Sequence, residues 1–313
     1  MRVLSRSLWL LPNSMRGWLF FGPLLTERGL RRKFAGGSTF GLRWFPDFRA
    51  AEMPRAGRTP VTTVPQMDRR LKLEIMPQPD PFTCGPTCLH AVYRYYGDDI
   101  SLETVVRESP QLEDGGTLAV LLACHALRRG YEATMYTYNL NVFDPTWFKR
   151  GAPTLRERLQ AQMAAKNLPK LQAATRAYLE FLELGGRLRM QDLTSELIRE
   201  HLKKSEPILT GLSATYLYRD KREFGPRSEP DDVRGIPAGH FVVLCGYDRV
   251  RRTVLVADPL LPNPMAPESK YAVEIDRLKC AILLGIVTYD ANLLVIRPRI
   301  NHEGTPGAHS DRR

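Results

Sequence analysis

"QPDPFTCGPTCLHAVYRYYG", residues 78–97, decides how this chain is read. Pro86 suits a first helical turn, where no backbone donor is needed. Leu89, Val92, Tyr93 and Tyr96 then recur at three- and four-residue spacing, and Gly97 supplies a stop. The spacing predicts a helix over 86–96, which places Cys84 on its threshold. A thiol there meets the positive end of the helix dipole and unpaired N–H groups, and both favour thiolate. Gln78, six residues upstream, carries an amide N–H that can donate to a developing oxyanion. Gly85 would let a substrate approach the backbone closely. The stretch thus offers a nucleophile and half of an oxyanion hole.

A nucleophile needs a base, and the base needs a group to orient it. Six histidines are available. His302 and His309 fall in a polar tail, and His201 in a charged helix end, "IREHLKK", that reads as solvated. His90 and His125 fall inside helices. His240 differs, since it opens the β-rich run "GHFVVLCGY" (239–247). A second β-rich run, "TVLVADP" (253–259), follows after a short polar turn, a hairpin signal. With the turn centred near residue 249, antiparallel partners have numbers that add to about 498, which sets His240 opposite Asp258 or one register step away. Directly opposed Cβ atoms lie roughly 5 Å apart, close enough for a carboxylate to hold one imidazole nitrogen. The other nitrogen is left for Cys84, with the Asp fixing tautomer and stabilising imidazolium beside thiolate.

These three segments together resemble the C39-like peptidases of the papain superfamily, a group that includes leader-peptide-cleaving domains fused to bacteriocin export transporters. The resemblance implies a papain-like α+β fold with Cys84 as nucleophile, His240 as base, Asp258 as orienting acid and Gln78 as oxyanion donor. It implies hydrolysis of a peptide or amide bond through an acyl-enzyme, with no metal or organic cofactor. It spans residues 71–298 in outline, although about 35 residues carry it strongly. The helical stretch 150–204 makes the interval between Cys84 and His240 longer than a compact domain of this kind needs, and reads as an insertion. With no transporter domain in the sequence, cleavage of a double-glycine leader is not implied. The alternative function is a papain-like scaffold without turnover, used to bind a peptide or partner.

The surrounding pattern agrees. "LKLEIM" (71–76) alternates as a short strand, "LAVLLACHALRRG" reads as a buried helix, and "YEATMYTYN" has strand composition. "PILTGLSATYLY" (207–218) reads as a strand, followed by a polar loop over 219–238 that is a candidate lid. "YAVEI", "DRLKCAILLG" and "ANLLVIRP" close the core as strand, helix and strand. A helical first half and a strand-rich second half predict α+β architecture, helices packed on an antiparallel sheet.

The net charge of +11 is uneven: residues 1–70 hold 13 basic and 4 acidic side chains, and the rest is nearly balanced. The excess belongs to an Arg-, Gly- and Pro-rich arm with the composition of a disordered extension, able to contact anionic surfaces weakly, and gives no reason to expect specific nucleic-acid binding by the body. The tail, 299–313, is polar. Five scattered cysteines form no disulfide framework and no paired zinc-ligand set, and fit a cytoplasmic setting. No stretch reaches membrane-span length, while the Arg-rich start leaves a targeting segment open.

Overall fold

Helix starts and strand runs predicted locally are assembled around one large sheet in a computed structural model, which describes residues 67–112 and 115–299. Nearly all of the basic arm and of the polar tail lies outside the described residues. In chain order, a short strand β1 (Arg69–Arg70) leads to helices α1 (Cys84–Tyr95), α2 (Leu102–Glu108) and α3 (Ala119–Arg128), then strand β2 (Tyr131–Thr137). Helices α4 (Leu155–Ala165) and α5 (Pro169–Glu183), strand β3 (Arg187–Arg189) and helix α6 (Ser195–Lys203) follow. Next come β4 (Ile208–Ser213), α7 (Ala214–Tyr218), the small hairpin β5 (Glu223–Phe224) and β6 (Glu229–Pro230), and β7 (Gly239–Asp248). Strands β8 (Thr253–Ala257) and β9 (Lys270–Glu274), helix α8 (Ile275–Leu284) and strand β10 (Asn292–Pro298) complete the chain.

The architecture is α+β. The main sheet runs β3-β2-β10-β4-β7-β8-β9, with β1 also paired to β7. All its pairs are antiparallel except β2 with β3. Most strands come from the second half of the chain; β1 and β2 come from the first, and β2 lies beside the edge strand β3. Helix α1 packs on β7, α3 on β2 and β10, and α8 on β4. Leu89, Val92 and Tyr93 of α1 are fully buried, as their spacing requires, and each contributes about 1.5–3 kcal/mol by leaving water.

Several local expectations are corrected. The first strand is Arg69–Arg70 and not 71–76; beyond it only the Leu71 N–H continues the pairing, donating to Cys245 O at 2.7 Å. The run 207–218 is strand only to Ser213, whose hydroxyl accepts the Tyr216 N–H and starts α7. The helical interval 150–204 contains strand β3, which lies beside β2. The polar loop 219–238 carries the β5–β6 hairpin and stacks Arg234 on the Phe224 ring at 4.2 Å.

Candidate active site

The site starts with how α1 begins. Asp80 accepts the Phe82 N–H at 2.8 Å and exchanges hydrogen bonds with Thr83, closing a tight turn. Cys84 is the first helical residue, and no side chain caps this helix end. Its thiol is half-buried, whereas Cys88, one turn on, is fully buried. Cys88 Sγ contacts Phe241 O at 3.2 Å and so ties α1 to β7 one residue past His240. Burial raises the Cys88 pKa far above that of an ordinary thiol, and the neighbouring Cys84 and Asp258 charges add to it, so Cys88 stays protonated. Gly85 does not border open space. A Cβ there would meet Thr117, Leu122 and Phe241 side chains at 2.7–3.2 Å, so the glycine serves the seating of α1 rather than substrate approach.

His240 is buried near the start of β7, paired with Leu212 of β4. Its Nε2 lies 2.8 Å from Asp258 Oδ1. The register that achieves this differs from the sequence expectation. Val243 faces Ala257 and Leu244 faces Val256, and a bulge at Cys245 then sets Gly246 opposite Leu255. Extending the ladder places Asp258 opposite Val242, on the face shared with His240. The pair is therefore diagonal and not directly opposed, a span the long imidazole can bridge.

Asp258 is completely buried, and four donors satisfy it. Oδ1 receives His240 Nε2 and the Leu260 N–H at 3.0 Å. Oδ2 receives the hydroxyls of Tyr218 at 2.7 Å and Tyr271 at 2.5 Å. Burial alone would raise the carboxyl pKa, but the hydrogen bonds and charge of His240 and the two tyrosines win and hold it at about 2. Burial alone would likewise lower the His240 pKa. The Cys84 charge opposes this most, and hydrogen bonds with Asp258 and Cys84 add to it, so the ring is pushed up to about 10. His240 thus interacts with both Asp258 and Cys84. Nε2 is committed to Asp258, which leaves Nδ1 as the second ring nitrogen.

Gln78 reaches the same neighbourhood through its backbone, its N–H donating to Pro259 O at 2.9 Å, next to Asp258. Its Nε2 donates one hydrogen to Asp80 O at 2.9 Å, which orients the amide and leaves a second N–H on that nitrogen. All four residues singled out from sequence therefore belong to one region. Tyr218 and Tyr271 were missed. Tyr271 faces Val256, two residues from Asp258 on the same strand face, across the β8–β9 ladder, but the long loop between the strands hides that register from the sequence. Tyr218 carries no comparable signal, because its position depends on the unexpected α7.

The other histidines are held elsewhere. His201 is not solvated: Nδ1 lies 2.6 Å from Glu206 and Nε2 lies 3.0 Å from the Tyr136 hydroxyl. His125 Nδ1 meets the Tyr93 hydroxyl at 2.8 Å, while its neighbour Cys124 turns to Ala177 O at 3.6 Å. His90 is buried in α1. Among the described residues, no group of three or more His, Cys, Asp or Glu side chains is placed to hold a metal ion, and no helix is long and apolar enough to cross a membrane.

Comparison with known proteins follows this geometry. No curated protein matches the sequence. Among solved structures, the chain is similar to a C39-like peptidase from Bacillus anthracis, at 14% identity, 74% coverage of this chain, 98% of that one and a TM-score of 0.42. It is also similar to a double glycine motif protease from an AMS/PCAT transporter, solved in complex with the leader peptide, at 15% identity, 74% and 96% coverage and a TM-score of 0.36. A third is the peptidase domain of Streptococcus ComA, a bi-functional ABC transporter involved in a quorum sensing pathway, at 14% identity, 72% and 99% coverage and a TM-score of 0.34. The model of the Peptidase_C39 like family matches residues 60–275. The chain belongs to the Peptidase_C39 like family.

Proposed function

We propose that this member of the Peptidase_C39 like family is a cysteine peptidase or amidase in which Cys84, His240 and Asp258 act as a catalytic triad and Gln78 as an oxyanion donor. The observation that carries the reading is the position of His240, buried between the Asp258 carboxylate and the Cys84 thiol. A raised imidazole pKa keeps the ring protonated at neutral pH, which supports a thiolate–imidazolium pair.

The steps follow from that pair. The Cys84 thiolate attacks the carbonyl carbon of a peptide or amide, and the carbonyl oxygen becomes an oxyanion. The free Nε2–H of Gln78 and the backbone N–H of Cys84 at the uncapped helix start are the donors for it. His240 gives its Nδ1 proton to the leaving amine as the C–N bond breaks, and a thioester remains. The now neutral imidazole removes a proton from water, which attacks the thioester. Collapse releases the acid and restores the thiolate and imidazolium. Throughout, Asp258 stays an anion on Nε2 and holds the ring in its tautomer.

The test uses the full chain and a peptide library, with cleavage read by mass spectrometry, beside iodoacetamide labelling of Cys84 at about pH 6. Cleavage that disappears in Cys84→Ala, together with labelling faster than that of a free thiol, is the expected result. Cleavage that persists in Cys84→Ala overturns the mechanism. A non-cleaving wild type whose Cys84 labels no faster than a free thiol leaves the binding scaffold as the function.

A further inference from the structure

We propose that Tyr218 and Tyr271 are positioning residues: their two hydroxyls together occupy Asp258 Oδ2, which keeps this carboxylate charged and presents Oδ1 to His240. The proposal rests on the reading of Cys84, His240 and Asp258 as a catalytic set, and it adds what makes the third member competent.

A fully buried carboxyl with too few donors keeps its proton, because removing a charge from water is costly. Asp290 of the same protein is shifted in that direction. It is buried too, and among the described residues its hydrogen-bond donors are the Ala119 N–H at 3.3 Å and Asn292 Nδ2 at 3.4 Å. Burial outweighs those contacts and the nearby Lys170 charge, and pushes Asp290 up to about 7. Asp258 lies on the other side of that balance: the His240 hydrogen bond and charge lower it most, and the short bonds from the Tyr271 and Tyr218 hydroxyls add to them. Those hydroxyls donate only while protonated, and burial followed by the Asp258 charge raises both tyrosine pKa values. The ionisable groups facing the carboxylate are His240 from β7, Tyr271 from β9, Tyr218 from α7 and Cys88 from α1, with Cys84 of α1 beyond them next to His240 and Cys88.

Both hydroxyls are held by structure that does not involve the carboxylate. Tyr271 sits in the β8–β9 ladder. Tyr218 ends α7, whose final carbonyls are taken by Arg277 of α8, at 2.7 Å from Tyr216 O and 2.6 Å from Leu217 O. The loop 219–238 leaves directly after Tyr218 and returns just before His240. Its return is tied to α7 by the Ala214 N–H to Ala238 O and by the Ala238 N–H to Thr215 Oγ1, both at 2.9 Å. The residues on opposite oxygens of Asp258 thus stand at the two feet of this loop.

The experiment compares the full chain with its Tyr218→Phe and Tyr271→Phe variants and a His240→Ala control. Cys84 labelling by iodoacetamide is followed from about pH 5 to 9, with thermal unfolding measured alongside. Each Phe variant removes one hydroxyl and keeps the ring. The expected result is a rise of about one unit in the acid limb of the labelling profile, so that labelling at about pH 6 falls roughly ten-fold. His240→Ala is expected to lose the low-pH labelling entirely. The two tyrosines lie on separate elements, so a variant that fails to fold leaves the other to decide. Phe profiles that superimpose on the wild type, or that fall equally at every pH along with the unfolding temperature, overturn the tyrosine proposal and leave the triad standing. A wild type that labels like a free thiol overturns the triad itself.

Discussion

Two histidine–carboxylate pairs in this protein are built from the same chemistry and are set to different ends. His201 and Glu206 lie 2.6 Å apart, and His240 and Asp258 lie 2.8 Å apart. In the first pair the second imidazole nitrogen is taken by the Tyr136 hydroxyl, and Glu206 is also tied to Arg297 at 3.3 Å. Burial would raise the Glu206 pKa, but the His201 hydrogen bond and the Arg297 charge lower it. Every polar atom of that imidazole is spoken for, so the pair is a cross-link between the α6 end and the sheet. In the second pair the imidazole also interacts with the half-buried Cys84 thiol at a helix start. A histidine–carboxylate pair is therefore not diagnostic by itself. What else the imidazole meets separates the brace from the pair that, under the proposed function, supplies a base.

Breaking the two pairs in parallel tests that distinction. Asp258→Asn preserves volume and removes the charge, and turnover of a peptide cleaved by the wild type is expected to fall about 10⁴-fold, as the loss of a triad carboxylate does elsewhere. Glu206→Gln should leave that turnover within about two-fold. Equal losses in the two variants, measured as kcat, would erase the contrast.

Gln78→Ala sharpens it from the oxyanion side. A loss of roughly 2.7–4 kcal/mol in transition-state stabilisation is expected, read as a 10²–10³-fold drop in kcat with KM little changed. A rise in KM alone would make Gln78 a ground-state contact.

The brace should reveal itself in stability. Glu206→Gln removes a hydrogen bond to a charged group, and urea unfolding is expected to register a loss of about 1.5–3 kcal/mol. Asp258→Asn tested the same way also measures how much of its pair is structural.

The smallest effect concerns the two buried carboxylates. Asp290 has a folded pKa of about 7, raised above the ordinary 3.8, so the native state binds the extra proton. Stability from this group is present below the ordinary value and declines as pH rises through about 7. Asp258 has the opposite sign: its contribution is present above 3.8 and is lost as pH falls toward about 2. Asp290→Asn should flatten the neutral part of the stability profile and stabilise the protein at about pH 8 by on the order of 1–2 kcal/mol. An unchanged slope between about pH 5 and 8 would remove Asp290 as its source.

Much of this site is legible in local sequence signals. The helix start at Cys84 follows from Pro86, the apolar spacing and Gly97, and each is a property of neighbouring residues. The strands β7 and β8 are equally local, since alternation and β-branched content need no partner to be read. The register between them is not local. The bulge at Cys245 shifts Asp258 from opposite Val243 to opposite Val242, which brings it onto the His240 face in a diagonal position, and that bulge forms where β7 also pairs with β1 and β4. Gly85 shows the same limit: its spacing pointed to substrate, and its packing against Thr117 and Phe241 depends on other segments.

The sequence by itself determined which residues could do chemistry here: a thiol at a helix threshold, an amide upstream, and an imidazole and a carboxylate on successive β-runs. The tertiary structure alone decided that Asp258 would meet two tyrosines from α7 and β9, that His240 would lie beside both Asp258 and Cys84, and that His201 would not be left free. The reason is physical. Helix starts and strands are set by short-range periodicity and backbone hydrogen bonding, whereas the charge state of a buried group is set by donors that arrive from distant parts of the chain.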